Sequence, residues 1–150
     1  MPQPFRYYLR VRYGECDFQH VVFNARYGDY FDLASTKFLR AAMVGRNLFD
    51  GLFEYQVVRQ LTEWKGPARF DDVLEIDVRH GRLGTTSFTL VMALRRAGTT
   101  DTLVTCETVY VTVDKETWQK RPLSMAECEA LESGAAGQLI DHGGWLAQKA

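Results

Sequence analysis

The chain has almost no surplus charge. Its 18 Lys and Arg nearly cancel 19 Asp and Glu, for a formal net charge of -1. Without an excess of one sign there is no broad field to draw nucleic acid or an anionic membrane, so neither is expected as a partner. Any anionic ligand must be met by a local basic cluster. Cysteine is scarce as well. Cys16, Cys106 and Cys128 are an odd number, and their spacing suits neither a zinc site nor a disulfide framework, so no metal is expected. No apolar run approaches the ~20 residues that span a bilayer. With no signal peptide visible at the start, the expectation is a soluble protein of the reducing cytoplasm. Internal repeats, low-complexity tracts and linkers are absent too, which excludes solenoids and flexibly joined modules.

What is present suits one packed unit. A length of 150 residues fits a single domain over 1–150, with a core at about 5–124 and a helix and tail at 124–150. A chain of this size buries about 68–70% of its unfolded surface. Nine Phe, seven Tyr and three Trp supply large core groups.

The apolar pattern changes period along the chain. Phe5, Tyr7, Leu9, Val11 and Tyr13 alternate with Arg6, Arg10 and Arg12, as a half-buried strand over 5–13 requires. Tyr27, Tyr30, Phe31, Ala34, Phe38, Ala41 and Ala42 then recur at steps of three and four. That spacing predicts an amphipathic helix of roughly five turns, with Asn24 as its N-cap and Gly45 as its stop. Four strands follow at about 55–65, 73–82, 86–96 and 102–113, separated by Gly66-Pro67, Gly81 to Gly84 and 97–101. Ser124-Met-Ala-Glu127 reads as a capping box that opens a short helix ending before Gly134. The tail beyond is expected to dock only loosely. Sequential strands joined by tight turns imply an antiparallel sheet, and one helix with a broad apolar arc must be covered by it. The fold class is α+β, with the sheet curled around one long helix.

The chemistry concentrates between the first strand and that helix. Asp17 follows the strand, and the mostly apolar residues Phe18, Val21, Val22 and Phe23 separate it from the helix start. A carboxylate beside the free N–H groups of a helix N-terminus is what acyl transfer needs. The amides can hold the oxygen that becomes negative, while the carboxylate attacks the acyl carbon or activates water.

The run Tyr13-Gly14-Glu15-Cys16-Asp17, with Val21-Val22-Phe23-Asn24, Tyr27 and Tyr30-Phe31-Asp32, resembles the signature of the 4-hydroxybenzoyl-CoA thioesterase and YbgC-like branch of hotdog thioesterases. Pro67-Ala68-Arg69-Phe70-Asp71-Asp72 and Arg121-Pro122-Leu123-Ser124 match the same family, and the likeness spans about 5–124. It implies a hotdog fold, an acyl-CoA substrate, no cofactor beyond the CoA of that substrate, and homodimers or homotetramers with sites between subunits. By position, it makes Asp17 the nucleophile or general base and the Asn24 backbone N–H the carbonyl's donor. Tyr27 falls at the edge of the site, with Val22 and Phe23 bordering the acyl group. His20 stands where the family has Gly, Asn24 where it has His or Tyr, and Arg26 where it has Asn or Arg. A basic run that some members carry is replaced by Arg82-Leu83-Gly84-Thr85-Thr86-Ser87, leaving Arg82, Thr85, Thr86 and Ser87 as candidates to meet phosphates.

Other readings belong beside these. His20 is read as a loop or orienting residue at the substrate side, Cys16 as pointing into the core, and Arg69 as pairing with Asp71 or Asp72. Asp32 and Glu63 are noted because other hotdog branches place the acid on the central helix; Asp32, expected at a solvated or intersubunit surface, is the reserve carboxylate. Phe23, Phe31, Phe49 and Phe53 would accept aromatic or short to medium aliphatic acyl groups. The rival functions are an acyl-carrier-protein thioesterase, a hotdog hydratase or dehydratase using His20, and a non-catalytic acyl-thioester binding protein.

Overall fold

The computed structural model describes residues 3–44, 51–133 and 135–149. Strand β1, Phe5–Arg10, places Phe5, Tyr7 and Leu9 in the core. It stops short of the predicted Tyr13. A one-turn 3₁₀ helix, Tyr13–Glu15, takes over because the Glu15 side chain accepts the Arg12 backbone N–H at 2.8 Å and draws the chain out of the ladder. Tyr13 is consequently left 83% exposed.

The central helix α1 runs Arg26–Ala42 and buries Tyr27, Tyr30, Phe31, Ala34, Phe38 and Ala42, as the spacing predicts. Its start differs from the expectation. Ala25, not Asn24, occupies the N-cap, without a side-chain cap, and the Phe23 carbonyl accepts the Arg26 N–H at 2.8 Å. This backbone turn supplants the Asn24 cap. Met43 closes the other end by donating to the Leu39 carbonyl; the expected stop at Gly45 lies outside the described residues.

Strands β2 (Glu54–Trp64), β3 (Val73–Leu83), β4 (Ser87–Arg96) and β5 (Thr102–Val113) pair antiparallel, β2 with β5, β5 with β4, β4 with β3, and β3 with β1. Phe88, Leu90, Met92 and Leu94 face the core, each 1% exposed or less. On β5 the core face is Cys106, Thr108, Tyr110 and Thr112. The more polar face turns inward there because its hydroxyls find partners: Gln60 donates to Thr108 at 3.1 Å, and Thr112 donates to the Arg121 carbonyl at 2.6 Å. Helix α2, Met125–Ser133, begins at the predicted capping box: Glu127 N–H donates to Ser124 Oγ, and Ser124 N–H to Glu127 Oε1.

The tail is not loose. Strand β6, Leu139–Asp141, pairs parallel with β1, giving a six-stranded sheet in the order β2-β5-β4-β3-β1-β6, and helix α3 spans Trp145–Lys149. Asp141 secures it by accepting N–H bonds from Gly143, Trp145 and Leu146 at 2.8–3.1 Å. Among the described residues no helix is long and apolar enough to cross a membrane.

Candidate active site at the start of the central helix

Between β1 and α1 the chain folds into a tight hairpin. Cys16 and Val22 pair antiparallel, Asp17 N–H donates to the Val21 carbonyl at 2.9 Å, and His20 N–H donates back to the Asp17 carbonyl at 3.0 Å. The turn requires a left-handed residue, and His20 supplies it at φ 68°. Glycine takes that conformation most easily, and histidine is among the side chains that tolerate it. Its ring is exposed.

Two neighbours clamp the hairpin. Val22 N–H donates to the Ala68 carbonyl at 2.8 Å, Val21 bridges to Arg69, and Phe23 N–H donates to the Glu15 carbonyl at 2.9 Å. The hydroxyl of buried Tyr27 accepts the Ala68 N–H. Among the described residues Arg69 itself takes no carboxylate: Asp71 pairs with Arg10 and Asp72 with Arg96, which leaves the Arg69 backbone N–H donating to Asp72.

Asp17 is half-buried, and its Oδ1 accepts the Gln19 N–H at 2.8 Å; among the described residues no cation pairs with it. The exposed Asn24 amide has no acceptor among the described residues. Beside it opens a groove of about 310 Å³ lined by Val22, Asn24, Tyr27, Trp64, Lys65, Gly66 and Pro67. Asp17 stands on the adjoining hairpin rather than in the groove wall. Burial raises the Cys16 thiol above its ordinary value, with Asp17 and Glu15 adding to the effect. Asp32 lies on the exposed side of α1, its carboxyl held above the usual range by local desolvation and by Asp29. Glu63 is exposed on β2.

The remaining candidates lie elsewhere. Phe23 is 47% exposed near the groove, whereas Phe31 and Phe53 are consumed by the core, each 1% exposed. Phe49 lies outside the described residues. Arg82, Thr85, Thr86 and Ser87 sit at the β3–β4 hairpin. The Asp17 hairpin leaves β1 where Arg10 pairs with Val73, at the opposite end of the 11-residue β3. At ~3.3 Å per residue, roughly 30 Å separates the two ends within one chain.

Sequence reasoning missed Trp64 and Lys65, which reach the groove only through the pairing of β2 with β5. Glu15 entered the sequence reading only as part of the Tyr13-to-Asp17 run, with no role assigned to it. An unpaired amide at the positive end of a helix, beside an apolar groove and a carboxylate, can stabilise a developing oxyanion while an acyl carbon is attacked.

Comparison with known proteins gives the family and the fold. The family described as the thioesterase-like superfamily matches residues 11–131. The acyl-CoA thioester hydrolase YbgC of Escherichia coli O157:H7 is 34% identical over 128 residues, covering 79% of this chain and 89% of that protein. A hypothetical protein, AQ1494 from Aquifex aeolicus, superposes with a TM-score of 0.77 at 25% identity, covering 86% of this chain and 100% of the other. Slr0204, a 1,4-dihydroxy-2-naphthoyl-CoA thioesterase from Synechocystis, shares the fold with a TM-score of 0.76 at 19% identity, over 85% and 94% of the two chains. With its sheet wrapped around one helix and its match over most of its length, the chain belongs to the thioesterase-like superfamily and has the hotdog fold.

Proposed function

We propose that the protein hydrolyses an acyl-CoA thioester to the free acid and CoA, with Asp17 as nucleophile or general base. The carrying observation is the Asn24 amide at the head of α1, open among the described residues, beside a hairpin where no described cation pairs with the Asp17 carboxylate. In this reading the thioester carbonyl rests on that amide while Asp17 attacks or activates water. The CoA thiolate leaves readily, so no strong general acid is needed. The relative named as an acyl-CoA thioester hydrolase supports CoA as the carrier. Val22, Tyr27, Trp64 and Pro67 suit an aromatic or short to medium aliphatic acyl group.

The site is completed by a second copy. Strand β2 lies at the sheet edge, 11 residues long, with Val57, Val58, Leu61 and Trp64 each 45–58% exposed. A long apolar edge is a template for another strand. A two-fold pairing of β2 with itself runs antiparallel, so the groove end of one chain meets the β3–β4 hairpin end of its partner. The Arg82 to Ser87 hydroxyls and guanidinium, remote within one chain, then approach the neighbouring site, where they can meet phosphates. This arrangement supports a homodimer, alone or paired into a tetramer.

The test is thiol release from a ladder of purified acyl-CoAs and acyl-carrier-protein thioesters. Turnover of at least one acyl-CoA is expected. Product formation without free thiol would mark a hydratase instead, and tight CoA binding without hydrolysis of any thioester would mark a binding protein.

A further inference from the structure

We infer that Glu15 is a positioning residue for this reaction: it sets the separation between the Asp17 carboxylate and the Asn24 amide. The inference rests on the hydrolytic reading of the site. Glu15 is 6% exposed, yet it is anchored on three sides. Its Oε1 accepts the Arg12 backbone N–H at 2.8 Å and the Tyr30 hydroxyl at 2.9 Å. Its Oε2 accepts Arg12 Nε at 3.1 Å and Nη2 at 2.7 Å. Its backbone carbonyl accepts the Phe23 N–H at 2.9 Å.

These bonds converge on the functional groups. Arg12 belongs to the exit of β1, Tyr30 lies one turn into α1, and Phe23 immediately precedes Asn24. The hairpin bearing Asp17 spans the interval between Glu15 and Phe23, closed by the Cys16–Val22 pair. One buried carboxylate therefore ties the strand exit, the root of the hairpin and the helix into a single frame. Its backbone carbonyl holds one side of that frame, and its side chain holds the other. A carboxylate can accept all four side-chain bonds at once, whereas an amide would turn an NH₂ group toward a donor.

A group that holds both partners can change their spacing without touching substrate. Displacing a reacting group by about 1 Å can cost about 100-fold in rate, and neither Glu15 nor its partner Arg12 lines the groove. Loss of the Glu15 frame is therefore read in kcat rather than in KM.

The experiment compares Glu15→Gln and Tyr30→Phe with wild type on the best acyl-CoA from the ladder, with kcat, KM and thermal midpoint measured for each. Glu127→Gln serves as the control, because Glu127 is also buried and bonded to arginine, Arg121, but in the cap of α2. The expected result is a kcat lowered about 10- to 100-fold in both variants with KM within about twofold, while Glu127→Gln loses thermal stability but keeps kcat. Should Glu15→Gln fail to fold, Tyr30→Phe, which deletes a single hydroxyl, decides alone. Wild-type kcat in Tyr30→Phe, or a drop in thermal midpoint with unchanged kcat in both variants, overturns the inference. A wild-type enzyme that hydrolyses no thioester overturns the hydrolytic reading itself, a separate result.

Discussion

The hydroxyl of Tyr27 accepts the backbone N–H of Ala68 at 3.1 Å, joining residues 41 positions apart. Ala68 returns the connection through its carbonyl, which takes the Val22 N–H. The first turn of α1, the segment before β3 and the Asp17 hairpin are thereby held as one unit. In Tyr27→Phe the buried Ala68 amide loses its acceptor, at a cost of about 1–3 kcal/mol. Chemical denaturation should show that loss without a change in m-value.

Asp17→Asn keeps the shape of the side chain and its Oδ1 bond to Gln19 but removes the charge. Turnover should fall by about 10²–10⁴ with the fold preserved by circular dichroism. Turnover like wild type would remove Asp17 from the mechanism.

The β2 edge predicts the assembly. Val58→Lys, at the extra residue of the bulge between Val57 and Arg59, or Leu61→Lys places charge where the proposed second strand would pair. Sedimentation should shift from a dimer or larger species toward the 17.2 kDa chain, with hydrolysis falling in step. A wild-type protein that already sediments as a monomer would refute the shared site.

Burial pushes the Glu15 carboxyl up, but the hydrogen bonds from Arg12 and Tyr30 outweigh it and leave it below the usual carboxylate range. A carboxylate depressed in the folded state contributes stability that is complete above its unfolded pKa of about 4.3. That stability disappears as pH falls through the lower folded value. Glu15→Gln should therefore be less stable than wild type by roughly 1–3 kcal/mol at pH 7, and the gap should narrow steadily below about pH 4. Thermal melts across pH 7 to 3 measure it directly.

Asp141→Ala removes the acceptor for three N–H groups at the start of α3. A loss of about 0.5–2 kcal/mol follows from cap deletions. Hydrogen exchange should accelerate in β6 and at the His142 amide, which donates to the Tyr8 carbonyl, while hydrolysis stays unchanged.

Several elements were legible before folding because their signals are local. The stripe from Tyr27 to Ala42, the alternation from Phe88 to Leu94 and the Ser124 capping box each repeat within a few residues, and each forms where expected. Two features were not legible. Asn24 is a favoured cap by propensity, but the backbone turn closed by Phe23 and Arg26 moved the helix start by a residue. Strand β6 is three residues long and pairs with a strand more than a hundred positions away, so no periodicity announces it. The site was legible in part: Val22, Asn24 and Tyr27 meet at one groove, whereas Trp64 and Lys65 carry no motif of their own.

The amino-acid order by itself settled which faces are apolar, where the chain turns and which short segment concentrates the acid and the amide, since all of these follow from neighbours a few residues apart. Tertiary structure alone decided that Glu15, Tyr30 and Ala68 converge on that segment, that the phosphate-facing candidates lie at the far end of the sheet, and that β2 is left as an edge. Hydrogen bonds and strand order across tens of residues depend on the chain's path in space, and that path leaves no local pattern to read.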